Sequence, residues 1–429
     1  MADQAHYVVV GGGVGGLVLA RRLVLGGASV TLVEASDHLG GTVAHQRVGG
    51  IDLDAGAESF ATRGGTVVRL ATALGLGDDI VEPNPEGAWL QAVDGRAFRL
   101  PKNSLLGIPA YPLARDVTDI IGAPAAWRAF IETLIPGFYG AKSATLGELV
   151  RKRMGPAVLD RLVRPIARGV HSADADDLPL DQAVPGLRGA LRRENSLARA
   201  VQELRETSAR AGSAVAGIRG GVARLVDALA SDLERFGVRV LLGAPATDVA
   251  HDHVVVDGVR IEGRVIVAAP GIVGDTADRG QRVVLTTLVI EQPLLDLAPR
   301  GTGVLVAEGA AGIRARALTH STAKWRWLAD QAEGKHVIRL SYDEDGAGQA
   351  ADNLHETARA DAEALLGVPI PATAVLDFAR VEWYRPKRYT PSPDDIPLAG
   401  ESIAGTGLAS VVARSEALAA QLLEDAKGS

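Results

Sequence analysis

A glycine-rich turn between two apolar segments most strongly constrains the fold of this chain. Residues 7–10, Tyr-Val-Val-Val, are typical of a buried strand, and Gly11, Gly13 and Gly16 follow at the G-x-G-x-x-G spacing that opens a helix. Gly11 permits the tight turn, Gly13 lets the backbone approach a pyrophosphate, and Gly16 brings helix and strand together. Because a second strand is predicted over residues 29–33, the stretch predicts a β-α-β unit that binds a dinucleotide.

An acidic residue and a further pair of glycines follow the second strand. Glu34 is placed to accept hydrogen bonds from both ribose hydroxyls of an adenosine. Gly40 and Gly41 offer backbone amides to the flavin side of a longer dinucleotide, which favours FAD over NAD. The alternative is a glycine turn that closes a surface loop. The ExxxxLGG pattern resembles the amine-oxidase-like class of FAD enzymes, although Thr42 stands where many members have a basic residue.

Composition limits the class of protein and its chemistry. A chain of 429 residues with 47% hydrophobic content is long enough for two or three domains. With no Cys there is no disulfide, thiolate nucleophile, iron-sulfur cluster or cysteine-zinc site, so redox chemistry needs a bound cofactor. A net charge of −7 argues against nucleic acid as the main partner. We expect a cytoplasmic protein, because no apolar run reaches about 18 residues and residue 7 already begins a strand.

Features of a nucleotide-binding core return twice, far apart in the chain. Residues 218–241 predict a glycine turn, an amphipathic helix and a strand, and a hairpin with Asp257 and Gly258 as its turn follows. Residues 396–425 predict a strand, a glycine-rich turn and a closing helix. Helix candidates lie near 113–134, 145–153, 155–168 and 194–211, and a further helix pattern covers 350–365.

The sequence therefore predicts an α/β fold, α+β overall, with three domains. A Rossmann-like FAD-binding domain is assembled from the discontinuous residues 1–75, 212–275 and 391–429. A mixed-sheet substrate-binding domain comprises 76–103 and 276–390. Residues 104–211 form a helical cap.

Six segments together carry a family resemblance: DLDAGAESFATRG at 52–64, LPKNSLLGIP at 100–109, the long run at 143–180, GIRGGVARLVDAL at 217–229, THSTAKWRW at 319–327 and ARVEWYRPKRY at 379–389. They resemble the FAD-dependent coproporphyrinogen III and protoporphyrinogen IX oxidases of haem synthesis, with the bacterial, actinobacterial-type branch most similar. The resemblance covers nearly the whole chain, in the order of the family.

This resemblance implies an oxidase with coproporphyrinogen III as its first expected substrate. Flavin N5 accepts hydride equivalents from the porphyrinogen, and O₂ reoxidises the reduced ring to give H₂O₂. No general base is obviously required. His171, in the run RGVHSAD, is therefore interpreted as a hydrogen-bonded structural residue and not as a catalytic one.

The resemblance also assigns binding residues. Trp383 either packs against the flavin or fills the core. Arg63 and Lys102 are the candidates for binding substrate carboxylates, the alternative being ordinary solvated charges. The predicted FAD contacts are Gly11, Gly13, Val14, Gly15, Gly16, Glu34, Ala35, Gly40, Gly41, Thr42, Gly56, Ala57, Glu58, Ser59, Ala246, Trp383, Gly400, Glu401, Gly407 and Leu408.

The chain departs from the family after Tyr389, where PSPDDIP leads almost directly to LAGES and about two dozen residues are missing. The segment 271–282 is also shorter than the helical stretch that the family has at this place. Two alternatives therefore stay open, a flavin-dependent oxidase or desaturase of another substrate and a tetrapyrrole or flavin carrier without turnover.

The apolar residues 104–140 suit the lining of a substrate channel, which we prefer because basic residues are sparse there. They also suit a contact with another haem-pathway enzyme or a peripheral membrane contact.

Overall fold

The computed structural model describes residues 5–171, 173–209, 215–269, 280–343, 353–386, 389, 396–405 and 407–428. The strands are β1 (His6–Val10), β2 (Ser29–Val33), β3 (His45–Val48), β4 (Ile51–Asp54), β5 (Phe60–Ala61), β6 (Ile80–Val81), β7 (Trp89–Gln91), β8 (Ala97–Arg99), β9 (Ser104–Leu105), β10 (Ile108–Pro109), β11 (Val215–Ile218), β12 (Arg239–Leu241), β13 (Ala246–Val249), β14 (His253–Val256), β15 (Val259–Glu262), β16 (Arg264–Val267), β17 (Gln281–Ile290), β18 (Gly303–Val306), β19 (Ala317–His320), β20 (His336–Tyr342) and β21 (Val375–Arg385).

The helices are α1 (Val14–Leu25), α2 (Thr66–Ala73), α3 (Arg115–Ile121), α4 (Ala123–Phe130), α5 (Leu146–Met154), α6 (Pro156–Val158), α7 (Arg164–His171), α8 (Leu180–Ala183), α9 (Leu187–Glu194), α10 (Leu197–Ala209), α11 (Arg224–Arg235), α12 (Ser321–Lys324), α13 (Arg326–Ala332), α14 (Leu354–Leu366), α15 (Glu401–Ala404) and α16 (Leu408–Gly428). Short 3₁₀ turns lie at Arg63–Gly65, Gly77–Asp79, Ile131–Leu134, Pro293–Leu295 and Ala372–Ala374, and a π-helical turn lies at Leu159–Val163.

The chain divides into two compact units, each made of segments that are distant in sequence. The first unit comprises Met1–Pro83, Ala214–Val284 and Val381–Ser429, and the second comprises Asn84–Ser213 and Leu285–Arg380. The three-domain division with a separate helical cap stays a prediction.

The first unit is built on a parallel sheet in the order β12-β2-β1-β16. Leu398 extends this order by a parallel bridge to Val267. Successive residues of β1 face opposite sides, and both sides are buried: Tyr7 and Val9 pack with α1, α11 and α16, while Val8 packs with the β14-β15 hairpin. This explains why the strand is apolar throughout instead of alternating.

The second unit combines a sheet with a group of helices. Its sheet has the order β21-β17-β20-β19-β18-β7-β8, to which β17 and β21 contribute residues 285–290 and 375–380. The pairing of β18 with β7 is parallel and that with β19 is antiparallel, so the sheet is mixed. The fold class predicted from the sequence is thereby confirmed.

Two helix predictions in this unit need correction. The helix expected over 113–134 is two helices and a 3₁₀ turn, because Gly122 has a φ of 82° and ends α3. The helix expected over 155–168 contains the π-helical turn at Leu159–Val163 between α6 and α7. No helix within the described ranges has both the length and the apolar character needed to span a bilayer.

Candidate cofactor-binding site

The turn between β1 and α1 has the geometry that its glycine spacing predicts. Gly11 has a φ of 111°, and its N–H donates to the Val33 carbonyl at 2.7 Å, which ties the turn to the end of β2. A Cβ on Gly16 would overlap the Gly11 carbonyl oxygen. Both positions therefore require glycine for the chain itself, before any ligand is considered.

The protein chain itself does not require glycine at position 13. Gly13 is the N-cap residue of α1, with φ −66° and ψ 170°, and a Cβ there would meet no protein atom within 4 Å. The helix has no side-chain cap and no acidic residue in its first turn. Its first N–H groups and the positive end of its dipole therefore fit an anion such as a pyrophosphate.

The second glycine pair lies directly beside this helix end. Gly40 forms a parallel bridge with Gly13, and its N–H donates to the Gly12 carbonyl at 2.9 Å. A Cβ on Gly41 would lie 3.5 Å from the Gly13 Cα. The structure thus brings the G-x-G-x-x-G turn and the Gly40-Gly41 pair to one edge of the parallel sheet, as the sequence predicted.

Glu34 lies at the carboxyl end of β2, on the same edge of the sheet. Its carboxylate accepts hydrogen bonds from the Gly12 N–H at 2.6 Å and from the Ser36 N–H at 2.8 Å. The Ser36 hydroxyl also donates to Oε1 at 2.7 Å, so the side chain is held in place and its remaining acceptor capacity is mainly on Oε2. The Ala244 N–H donates to the Glu34 carbonyl at 2.9 Å, and Ala246 begins β13 two residues further along the chain.

The C-terminal segment returns to the start of α1. Gly400 has a φ of 87°, and its Cα lies 3.0 Å from the position of a Cβ on Gly15. Burial raises the pKa of Glu401 and lowers the pKa of Arg385, and the attraction between their opposite charges partly offsets both shifts. Gly407 has a φ of 107° and precedes α16.

Predicted flavin-ring contacts form a second group in the same unit. A Cβ on Gly56 would overlap the Thr42 carbonyl oxygen and would lie 3.6 Å from the Trp383 ring. The Trp383 side chain is only partly buried. Ala57, Glu58 and Ser59 follow Gly56 directly and are also half-buried. Three other predicted FAD contacts lie elsewhere in the unit: Val14 is buried, Ala35 is exposed and Leu408 begins α16.

The two predicted substrate cations belong to different units. Arg63 begins a 3₁₀ turn in the first unit, and its side chain lies outside what the structure describes, as does that of His171. Lys102 is exposed in the second unit, where its N–H donates to Asp116 at 3.2 Å. The binding roles of all these residues stay predictions.

Asp54 was missed in the sequence interpretation. Its buried carboxylate accepts hydrogen bonds from the Val222 N–H at 2.9 Å and the Ala223 N–H at 2.8 Å, at the start of α11. It thereby fixes the end of β4, which leads into Gly56, against a helix N-terminus. This acid gave no local signal, because the two N–H groups that donate to it lie 168 and 169 residues later in the chain.

A His–His–Asp chain in the second unit was also missed. His320 and His336 are buried with 3.1 Å between their ring nitrogens, and His336 lies 3.0 Å from Asp296. Burial, with a smaller contribution from His336, lowers the pKa of His320 to about 3. Both rings are therefore neutral at pH 7. Among the described residues, no cluster of His, Asp and Glu could hold a metal ion.

Gly11, Gly13, Gly40 and Gly41 lie at one edge of the parallel sheet, which we call the glycine edge. Such an edge is typical of dinucleotide-binding proteins, and comparison with known proteins gives the family. The profile of the flavin-containing amine oxidoreductases matches residues 14–287, so the chain belongs to that family. It is an FAD-dependent oxidoreductase, and the open helix end at Gly13 fits that cofactor.

Among its relatives are two bacterial coproporphyrinogen III oxidases. The chain is 29% identical to that of Mycobacterium leprae over 394 residues, which cover 87% of this chain and 83% of the relative. It is 27% identical to that of Propionibacterium freudenreichii over 304 residues, 63% of this chain and 58% of the relative.

A solved structure shares the fold over nearly the full length of both chains. It is the crystal structure of a provisionally named protoporphyrinogen oxidase from Exiguobacterium sp. 255-15, with a TM-score of 0.83, 21% identity and 99% coverage of each chain.

Proposed function

We propose that this chain is an FAD-dependent oxidase of a porphyrinogen, with coproporphyrinogen III as the expected substrate and O₂ as the electron acceptor. The observation that carries the proposal is the match to the M. leprae coproporphyrinogen III oxidase over 87% of the chain. The glycine edge of the first unit supports it, because the N-terminus of α1 at Gly13 is open to an anion such as the pyrophosphate of FAD.

We assign the parts of the cofactor to different elements of the first unit. The N-terminus of α1, with Gly13 and Gly41 beside it, would hold the pyrophosphate. Glu34 would accept the ribose hydroxyls, since its carboxylate is already oriented by Gly12 and Ser36. Ala246 would meet the adenine through its backbone. The flavin side would be contacted by two groups of residues, Gly56 to Ser59 and the C-terminal Gly400, Glu401, Gly407 and Leu408.

The reaction is a loss of hydrogen that needs no group transfer. A porphyrinogen loses six hydrogens in three two-electron steps, and three O₂ become three H₂O₂, so atoms and electrons balance. FAD, when bound, supplies the hydride acceptor. The chain has to orient the macrocycle and let it turn between steps, and we assign no catalytic base.

The four propionates of coproporphyrinogen III require cations. We propose Arg63 and Lys102 for this role, since Arg binds a carboxylate through two parallel hydrogen bonds. Arg63→Glu should raise KM for coproporphyrinogen III about tenfold with little change in kcat, because one charge-assisted contact is lost. Arg239→Glu, at an exposed position in the same unit, is the matched charge reversal and should leave KM unchanged. Equal KM values in both variants would remove Arg63 from the site.

The short segment after Tyr389 supports a second candidate, an FAD oxidase of another substrate on the same fold. Most of that segment, residues 390–395, lies outside the described residues, as does 271–279. The two candidates differ in what reduces the flavin, and a substrate panel separates them.

The decisive experiment is an anaerobic titration of the FAD-loaded protein with coproporphyrinogen III, followed by air. During the anaerobic stage, flavin absorbance should fall as the substrate reduces the flavin. After air is admitted, porphyrin fluorescence should appear and three H₂O₂ should form per porphyrin. Protoporphyrinogen IX and an amine panel are titrated in parallel. A flavin that stays oxidised with both porphyrinogens contradicts the proposal, and bleaching by an amine instead favours the second candidate.

A further inference from the structure

The two faces of the sheet in the second unit differ in how tightly they are covered. Alternate side chains of β20 share one face and are all buried: His336, Ile338, Leu340 and Tyr342. Tyr342 donates to Asp361 of α14 at 3.2 Å, so this face packs against that helix. On the opposite face, Ser341 of β20 and Ala317 and Thr319 of β19 are only half-buried. Because β19 and β20 are central strands, this second face borders a solvent-accessible space, and we call it the open face.

The pairing of the strands places a cation on the open face. Arg339 of β20 is directly opposite Thr319 of β19, and Thr319 is in turn opposite Gly303 of β18. Residues that are opposite each other on paired strands have their side chains on the same side of the sheet. Arg339 is only 6% exposed, so its charge is held away from bulk solvent.

Helix α7 covers the neighbouring part of the open face. Leu305 of β18 is directly opposite Ala317, and a Cβ on Gly169 of α7 would overlap the Leu305 side chain. The residues beside Arg339 on the open face are small and leave room above the sheet: Gly303, Ala317, Thr319 and Ser341. The open face is therefore a recess next to α7, with hydroxyl groups and a guanidinium at its base.

We propose that Arg339 binds one carboxylate of the substrate through two parallel hydrogen bonds. A guanidinium keeps its charge at physiological pH, and its planar donors match the two oxygens of a carboxylate. Away from bulk solvent such a contact is stronger, because water and salt screen it less. The Thr319 hydroxyl, opposite Arg339, can donate to the same carboxylate. The role of Arg339 rests on the proposed function, since the substrate proposed there carries propionates, and it adds a third cation to Arg63 and Lys102.

Binding of coproporphyrin III to the FAD-loaded protein tests this contact without turnover. Coproporphyrin III keeps the four propionates, its neutral tetra-amide is the comparison ligand, and porphyrin fluorescence measures Kd for both. Arg339→Gln should raise Kd for the acid about tenfold or more and change Kd for the tetra-amide less than about twofold, because one charge-assisted contact is lost. KM for coproporphyrinogen III should rise with little change in kcat.

The matched control is Arg326→Gln, at an exposed position of the same unit, which should leave both Kd values unchanged. Equal increases in Kd for the acid and the tetra-amide would mean that Arg339 only supports the fold of the recess, and they overturn the proposal. Unchanged Kd values overturn it as well. If Arg339→Gln does not load FAD, Arg339→Lys decides, because it keeps the charge but loses the two-bond geometry; wild-type affinity for the acid in that variant overturns the proposal.

Failure of the proposed function gives a different result from failure of this contact. If the substrate is not a porphyrinogen, the wild-type flavin stays oxidised in the anaerobic titration with both porphyrinogens. If the flavin is reduced but wild type binds the acid and the tetra-amide equally well, the porphyrinogen oxidase stands and the role of Arg339 is overturned.

Discussion

The contrast between Gly13 and Gly16 gives a prediction in which binding and folding respond separately. A methyl group at Gly13 would meet no protein atom within 4 Å, and φ −66° with ψ 170° is an ordinary conformation for alanine. Gly13→Ala should therefore leave the free energy of unfolding of the FAD-free protein within about 1 kcal/mol of wild type. The methyl group would instead stand where the pyrophosphate has to approach the helix end.

The cost in FAD affinity follows from the contacts that would be lost. A hydrogen bond between a backbone N–H and a charged phosphate contributes about 1.5–3 kcal/mol. Losing one such contact raises Kd about 10- to 100-fold, since about 1.4 kcal/mol corresponds to a factor of ten. Fluorescence titration of the FAD-free variant with FAD measures Kd, and urea unfolding measures its stability.

Gly16→Ala is the matched variant, with the same methyl group three residues further on. There the methyl carbon would overlap the carbonyl oxygen of Gly11, whose N–H is held by Val33. The turn must shift, so the FAD-free protein itself should lose about 2 kcal/mol or more of stability. Unchanged FAD affinity in Gly13→Ala would refute the placement of the pyrophosphate at this helix end. Equal stability losses in the two variants would refute the distinction between a chain requirement and a ligand requirement.

Three further predictions concern stability. Glu132→Gln should cost about 3–5 kcal/mol, because it leaves the buried Arg153 charge uncompensated. Glu262→Gln, in the exposed pair with Arg260, should cost less than about 1 kcal/mol, and urea unfolding compares the two variants. Asp54→Ala should cost about 1–2 kcal/mol by removing the acceptor at the start of α11, measured in the same way. The pKa of His320 is about 3 in the folded protein and about 6.5 in the unfolded chain. The stabilisation from this neutral ring is therefore complete above pH 6.5 and is lost as the pH falls toward 3. Between pH 7 and pH 5 this group should lower the free energy of unfolding by about 2 kcal/mol, and His320→Asn should reduce that pH dependence.

The sequence predicted those parts of the site that depend on local backbone geometry. The glycine spacing, the acid at the end of β2 and the Asp257-Gly258 hairpin each require only a few consecutive residues. The amphipathic helix α11 is also as expected, with Leu225, Leu229 and Leu233 buried. These features are predictable because turn conformation and helical periodicity are set within one or two turns of chain.

Contacts between distant segments could not be predicted in the same way. The approach of Gly400 to Gly15 joins residues 385 positions apart, and only the assembled sheet creates it. The buried Glu132–Arg153 pair likewise depends on how α5 and the 3₁₀ turn pack. In sequence, Glu132 is a single acid within an apolar run, and nothing local distinguishes a buried ion pair from a solvated charge.

Helix α4 shows a further limit, because hydrophobic content does not specify which side of a helix is buried. An amphipathic helix normally buries its large apolar residues, and α4 instead buries Ala126 and Ala129 while Trp127 and Phe130 face solvent. Small residues let α4 approach its neighbours closely, which leaves no space for the larger side chains inside the unit. The composition of the segment is the same whichever side chains are buried, so only the packing of α4 against its neighbours decides which of them reach solvent.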